Sequence, residues 1–363
     1  MKEKVRIGII GTGFAKTVQI PAFHKIDGAE IVSIASAHAE NAEMTARDFG
    51  IAHYTGDWRE TVENEAVDLI CITTPPVFHK EMTLLALEHG KHVLCEKPMA
   101  MTADDAREMT EKAAGVNVLA LIDHELRFLS GRRRAREILQ SGEIGVIRHA
   151  KYNFRAPHRG SPDAPWNWWS DETKGGGALG AIGSHVFDSL RWFTDSEIAQ
   201  VFCQLQTHVK ERRDKQSGEI KKVSTDDEAN LILRFADNEF CEDATANLSL
   251  SMVEYPAYQN RVEFFGTKGA IRVEFDGETS IGKTDGETWH KVEIDLNESV
   301  EGVRNTGWNN GFLAFATEIV AAIREGKTTI ENAATFADGY QVQLLMDAAR
   351  KSNETGAIVK LSE

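Results

Sequence analysis

Two stretches hold residues able to do chemistry. Gly11-Thr12-Gly13-Phe14-Ala15 follows directly on the apolar run Val5–Ile10. A glycine at the first position permits a tight turn. A glycine at the third lets backbone N–H groups approach an anion at the start of the next helix, as the pyrophosphate of a dinucleotide requires. The last glycine of a full G-x-G-x-x-G is absent; Lys16 stands in its place, and Ala15 one residue earlier can do the close packing. The second stretch is Cys95-Glu96-Lys97-Pro98, which ends the apolar run His92–Cys95. In open parallel sheets ligands lie beyond the carboxyl ends of the strands. Lys97 therefore presents an amine to that crevice, where it can give or take a proton. The bond before Pro98 is a candidate for cis geometry.

The end of the second strand selects the dinucleotide. An Asp or Glu there would accept hydrogen bonds from a ribose 2′-hydroxyl. This chain has Ser36-Ala37-His38 instead. A hydroxyl and an imidazole leave room for a 2′-phosphate, so the expectation is NADP or NAD, with the balance towards NADP.

These residues need a scaffold, and the first third of the chain supplies one. Short apolar runs at Val5–Ile10, Glu30–Ser36, Asp68–Thr73, His92–Cys95 and Val116–Ile122 alternate with helical patterns at Glu40–Phe49, Lys80–His89 and Thr102–Ala114. Strand–helix alternation with apolar strands reads as a parallel sheet covered on both faces. Thr102 ahead of Asp104 and Asp105 reads as a capped helix start. Beyond about residue 125 the pattern changes. Arg127–Leu139, with the basic run Arg132–Arg134, reads as a helix with a solvated face. Ala156–Gly177 is rich in Pro, Gly and Trp, and Ala178–Phe193 reads as a helix. Strand-like runs follow at Gln200–Val209, Glu228–Phe235, Ala244–Met252 and Arg261–Glu274, with the charged segment Lys210–Lys222 as a solvated hairpin or loop. Helical patterns at Gly311–Arg324 and Ala333–Ser352 close the chain. The expected organisation is a Rossmann domain over residues 1–125 and an α+β domain for substrate binding and oligomerisation over residues 126–363.

Composition narrows the function. Of 363 residues 42% are hydrophobic, and 41 Lys and Arg against 56 Asp and Glu give a net charge of −15. That surface repels phosphate backbones, so nucleic acid is a poor partner. No apolar run reaches the ~18–20 residues of a membrane span. The opening residues lead straight into a strand with no leader pattern, and the cytoplasm is the expected compartment. The four cysteines form no CxxC pair and no metal spacing; Cys71 and Cys95 read as buried core thiols.

With these residues in order, the sequence resembles the Gfo/Idh/MocA family of NAD(P)-dependent oxidoreductases over nearly its whole length. The resemblance rests on GIIGTGFAK, on Thr73-Thr74-Pro75-Pro76 with His79, on Glu96-Lys97-Pro98, and on His124 and Arg127. It continues through Gly175-Gly176-Gly177-Ala178-Leu179 to His185 and Asp188, and ends at Gly266-Thr267-Lys268-Gly269. It implies an α/β protein: an N-terminal Rossmann domain and a C-terminal α+β domain with a large, mostly antiparallel open sheet that often forms an oligomer interface. The implied activity is oxidation or reduction of a carbinol on a sugar, cyclitol or related polyol. The implied roles are acid/base for Lys97, cofactor lining for Thr73–Pro76, His79 and Glu96, and substrate contact for His124, Arg127 and His185. The chain is then expected to be a homodimer or homotetramer with a small sugar-like substrate.

One departure stands out. Many members carry an aspartate one helical turn before the histidine, where this chain has Ala181. Either Lys97 and His185 suffice, or another acid such as Asp123 or Glu125 substitutes, or the protein binds ligand with little turnover. His185 itself reads either as a substrate contact or as a satisfied core residue, and Asp188 as a buried hydrogen-bonding residue. Arg155, His158 and Arg159 precede Trp166-Asn167-Trp168-Trp169. Aromatic faces stack on sugar C–H groups, and arginines bind carboxylates or hydroxyls. Arg155, Trp166, Trp168 and Trp169 are thus either a substrate wall or a loop stapled to the domain surface. The rival functions are a non-catalytic dinucleotide sensor and a dehydrogenase or reductase of non-sugar substrates such as dihydrodiols or imines.

Overall fold

A computed structural model describes residues 2–215, 217–286, 288–297 and 299–361. The chain divides into two compact units. The first comprises residues 1–129 and 297–341, the second residues 130–296 and 342–363.

The first unit is built on strands β1 (Val5–Ile10), β2 (Ala29–Ala35), β3 (His53–Thr55), β4 (Leu69–Ile72), β5 (His92–Cys95) and β6 (Ala120–Ile122). They form a parallel sheet of order β3-β2-β1-β4-β5-β6. Every residue of β4 is buried, as its unbroken apolar sequence requires when both faces are covered. Thr102 caps helix Ala103–Ala114 by accepting the Asp105 N–H at 3.2 Å, with Asp104 and Asp105 in the first turn.

Residues 297–341 belong to this unit, although the sequence placed them in the second. Helix Gly307–Glu325 is the reason. Phe312, Phe315, Ala316, Ile319 and Val320 are all buried in the core beside β1. Phe315 stacks on Phe128 with ring centroids 4.2 Å apart, and Phe312 meets Phe23 edge-on at 5.5 Å. A helix with this much apolar surface settles where a matching face is open, and one-dimensional order cannot show where that is.

The second unit carries β7 (Ile147–Arg155), β8 (Ile198–Gln206), β9 (Glu211–Arg213), β10 (Ile220–Lys222), β11 (Glu228–Phe235), β12 (Cys241–Ser251), β13 (Gln259–Gly266), β14 (Gly269–Val273), β15 (Thr279–Lys283), β16 (Trp289–Lys291) and β17 (Val359–Lys360). The large sheet runs β16-β15-β14-β13-β7-β12-β11-β8-β17. All its pairings are antiparallel except β7 with β12. β9 and β10 pair separately as a charged hairpin, but it is not wholly solvated as expected: Arg212 and Asp214 are buried, and the Arg212 guanidinium donates to Ser161 O at 2.8 Å. β7, at the centre of the large sheet, is a strand that sequence reading passed over. The expected strand Arg261–Glu274 is broken into β13 and β14 at Thr267-Lys268.

The basic helix is Ser130–Gln140, and its solvated face excludes Arg132. Arg132 is 2% exposed; its guanidinium donates to Ser189 Oγ at 2.6 Å and lies 4.9 Å from the Phe193 ring. The expectation of a wholly solvated basic run is corrected here. Ser189 and Phe193 lie on helix Ser184–Thr194 and offer a hydroxyl and an aromatic face that together accept a buried guanidinium.

That second helix is preceded by one wider-wound π-helical segment, Leu179–Gly183. Its start is fixed by Asp226. The Asp226 carboxylate accepts the Leu179 N–H at 2.7 Å, and a Cβ on Gly177 would fall 2.4 Å from Asp226 Oδ1. Gly177 also has φ +111°, so only glycine fits. Burial pushes the Asp226 carboxyl up to about 6, against the Leu179 N–H, which pulls it down.

Two outcomes follow. Phe315→Ala should destabilise the first unit by about 3–5 kcal/mol in denaturant unfolding; a change below 1 kcal/mol would mean that residues 297–341 do not complete its core. Asp226 holds its proton more tightly folded than unfolded, so its ionisation costs stability as pH rises from about 4 through about 6. Asp226→Asn keeps an acceptor for Leu179 and should melt higher than wild type at pH 7–8, with the gap closing towards pH 4. A gap that widens on acidification would reverse the assignment.

Candidate functional site

In the first unit the chemistry gathers along one edge of the parallel sheet. β1, β4 and β5 are neighbours, and their carboxyl ends lead into Gly11, Thr73 and Glu96-Lys97 respectively. Gly11 has φ +106°, and a Cβ there would sit 2.5 Å from Thr73 Oγ1. Its N–H donates to Ala35 O at 2.8 Å. Gly13 has nothing within 4 Å of where its Cβ would lie. Ala15 is fully buried, and helix Ala15–Gln19 and Ile20–Phe23 starts with no acid in its first turn. Thr12 and Phe14 flank the turn half-buried. A tight turn, an open approach and an uncompensated helix start fit the pyrophosphate of a dinucleotide.

Ser36 is half-buried and its hydroxyl lies 3.4 Å from the His38 N–H, while His38 is exposed. No carboxylate ends β2. Thr73, Thr74 and Pro75 are half-buried and Pro76 is buried. Thr73 donates through Oγ1 to Ile10 O at 3.1 Å, which ties β4 to the glycine turn. His79 is fully buried; its Nδ1 lies 3.0 Å from Pro98 O and its Nε2 2.8 Å from Thr74 O. Burial pushes its imidazole towards the neutral form. Its ring nitrogens are thus directed at the two loops rather than outward.

Lys97 is half-buried, and the Lys97–Pro98 bond is cis, as the sequence allowed. Behind it three carboxyl groups are buried: Glu96, Asp123 and Glu125, with exposures of 7%, 0% and 1%. Gln19 reaches two of them from the first helix; its Nε2 lies 3.1 Å from Asp123 Oδ2 and 3.5 Å from Glu96 Oε1. Sequence reading missed Gln19; its place one turn into the helix after the glycine motif was the available signal. His124 and Arg127 are buried as well. The Arg127 guanidinium lies 3.4 Å from Asp338 Oδ1 and from Asn332 O, within the same unit.

The second unit holds the other candidates. His185 is 3% exposed on helix Ser184–Thr194; Ala181 precedes it by one turn and Asp188 is buried beyond it. The tryptophan loop packs on the glycine run that starts this helix. A Cβ on Gly176 would fall 2.4 Å from Trp169 O and 2.8 Å from Trp168 O. Trp168 and Trp169 are half-buried with ring centroids 5.3 Å apart. Trp166 is stapled to the small hairpin; its Nε1 donates to Lys222 O at 3.1 Å, and Lys221 Nζ lies 4.7 Å from its ring. Arg159 donates to Ser170 Oγ at 2.9 Å, and burial beside Arg212 pushes it down to about 10. Arg155 donates to Ala257 O at 3.1 Å. All four cysteines are free and buried. Among the described residues no helix is long and apolar enough to cross a membrane.

Comparison with known proteins identifies the family. An oxidoreductase family with an NAD-binding Rossmann fold matches residues 5–124, and the GFO/IDH/MocA C-terminal domain matches residues 132–272. An uncharacterized oxidoreductase of Synechocystis is 30% identical over 266 residues, 73% of this chain and 70% of its own. Levoglucosan dehydrogenase of Pseudarthrobacter phenanthrenivorans is 27% identical over 96% of both chains. A structure of a levoglucosan dehydrogenase in complex with NADH and L-sorbose superposes with a TM-score of 0.84 at 25% identity, covering 99% of this chain and 100% of the other. With a glycine turn after β1, a lysine after β5 at the same edge of the sheet and both family domains in sequence, the chain belongs to the Gfo/Idh/MocA family of oxidoreductases.

Proposed function

We propose that the protein transfers a hydride between a nicotinamide dinucleotide and a carbinol or carbonyl carbon of a sugar, cyclitol or related polyol. The observation that carries this is the placement of Lys97, half-buried at the end of β5, two strands from the glycine turn. The likeness to levoglucosan dehydrogenase supports a sugar-like substrate.

The dinucleotide, when bound, accepts or donates the hydride at its nicotinamide ring. The protein's own part is binding, orientation and the proton. Gly11, Gly13 and the helix start hold the pyrophosphate, and Thr73–Pro76 line the adjacent loop. Lys97 takes the hydroxyl proton during oxidation and returns it during reduction. His185 hydrogen-bonds the reacting oxygen or a neighbouring hydroxyl. Trp168 and Trp169, packed on the glycine run at the head of the His185 helix, form a stacking wall for the sugar ring. His79, whose ring nitrogens meet Thr74 O and Pro98 O, serves the cofactor through the two loops that it joins. Arg127, paired with Asp338, keeps a structural place in this scheme. Ser36 and His38, with no acid beside them, lean the cofactor towards NADP. The sheet of the second unit, where Ile232 is 55% exposed, is the proposed face for a homodimer or homotetramer. The second reading, a dinucleotide-binding sensor without turnover, is favoured only by Ala181 in place of an acid.

Lys97→Ala should lower kcat on a polyol substrate by about a hundredfold or more while leaving dinucleotide affinity near wild type. An unchanged kcat would remove Lys97 from the acid/base role. Tryptophan-fluorescence titration should show tighter binding of NADPH than of NADH. A preference for NADH would mean that Ser36 and His38 do not bind a phosphate, and binding of neither would overturn the proposed activity. Measurable turnover of any aldose or cyclitol eliminates the sensor.

A further inference from the structure

Glu96 and Asp123 follow adjacent strands of the parallel sheet. Asp123 N–H donates to Cys95 O at 2.9 Å, and Glu96 N–H to Ile72 O at 3.0 Å, so both residues still belong to the sheet ladder when their side chains turn inward. The two carboxyl groups are screened from water and lie within reach of one and the same amide. Between them stands a single side-chain amide, Gln19 Nε2. Asp123 Oδ1 and Gln19 Oε1, both fully buried, have no hydrogen-bond partner.

A dry interior cannot hold two adjoining carboxylates with one amide donor between them. Like charges at contact and lost hydration both oppose a second ionisation. The other groups that face the pair do not supply the missing charge balance. Glu125 is a third carboxyl, burial first of all keeps the Cys71 and Cys95 thiols protonated, and among the described residues Lys97 is the cation acting on Glu96. An orphan oxygen on Asp123 is tolerable on a protonated carboxyl and costly on a carboxylate. Burial raises both groups, and the charge of Glu96 raises Asp123 further. Glu96 also keeps its Oε2 3.3 Å from the Lys97 backbone N–H, and the Lys97 charge acts on its carboxyl.

We infer that Glu96 and Asp123 share one proton and together present a single fixed negative charge behind Lys97. This rests on the reading of Lys97 as the acid/base. One negative charge at the back of Lys97 opposes the positive charge of its ammonium form. A second charge would double the field on the ammonium ion, and none would remove the pair's part of it. The pair acts through Lys97 and does not itself touch substrate.

The test counts charges. If one proton is shared, Glu96→Gln and Asp123→Asn each remove the shared proton and leave one carboxylate, whereas the double variant leaves none. Infrared difference spectra at pH 8 should show a protonated-carboxyl band in the wild-type protein, shifted in heavy water and missing from both single variants. Competitive acetylation of Lys97 at pH 7 should stay near wild type in each single variant and rise about tenfold in the double, one unit of protonation equilibrium. The acid limb of the pH–rate profile should move in the same pattern. Absence of the band from wild type, its survival in either single variant, or an unchanged double variant would overturn the inference. The wild-type band needs no variant to fold. The band and the labelling need no turnover, so failure of the oxidoreductase reading would appear separately, as absent activity with an intact charge count.

Discussion

The missing side chain at Gly11 is the constraint on which the first unit turns. β1 must leave the sheet sharply because β4 ends beside it, with Thr73 occupying the space where any Cβ would go. The same contact that forbids a side chain ties the two strand ends together through Thr73 Oγ1 and Ile10 O. The helix that follows is thereby aimed so that its amino end faces open space at Gly13 while Ala15 packs against the core. Strand order then brings the Lys97 turn to the same edge. A polar edge on an apolar sheet is what a parallel α/β layer produces when its strands are buried on both faces and only their carboxyl ends reach water.

The second unit solves a different problem, that of holding a long helix start and an aromatic loop against a broad sheet. Its polar anchors are buried and specific. Asp226 takes the Leu179 N–H, Arg132 takes Ser189, and Cys203 N–H donates to Ser352 Oγ at 2.9 Å. Each anchor joins segments far apart in the chain. Desolvation of such groups is costly unless each finds its partner, so they select one arrangement among several of similar apolar burial.

Periodicity carried much of this architecture. The β–α alternation of the first third, the capped helix after Thr102 and the charged hairpin were legible because their signals are local. The glycine turn and the lysine after β5 were legible for the same reason. β7 was not. Its buried residues Ala150, Tyr152 and Phe154 alternate with Lys151 and Asn153, but a basic helix and a Pro/Gly-rich loop on either side disguise a central strand as linker. Helix Gly307–Glu325 was read as a helix but assigned to the wrong unit, because its partners Phe23 and Phe128 precede it by most of the chain. The contact between Glu96 and Asp123 was invisible for a related reason. Each looked like an ordinary acid, and only the pairing of β5 with β6 sets them side by side.

The parallel pairing of β7 with β12 gives the large sheet a directional seam. Both central neighbours of β7, β12 and β13, emerge from the ribosome well after it does. The tryptophan loop and the His185 helix are therefore strung between β7 and β8, ahead of the strand that meets β7 at the middle of the sheet. During synthesis the loop and helix exist before the seam that anchors them, which can close only once β12 has emerged. That order leaves the segment that varies most in composition free of the sheet's register, so changes in its length need not disturb the strands on either side.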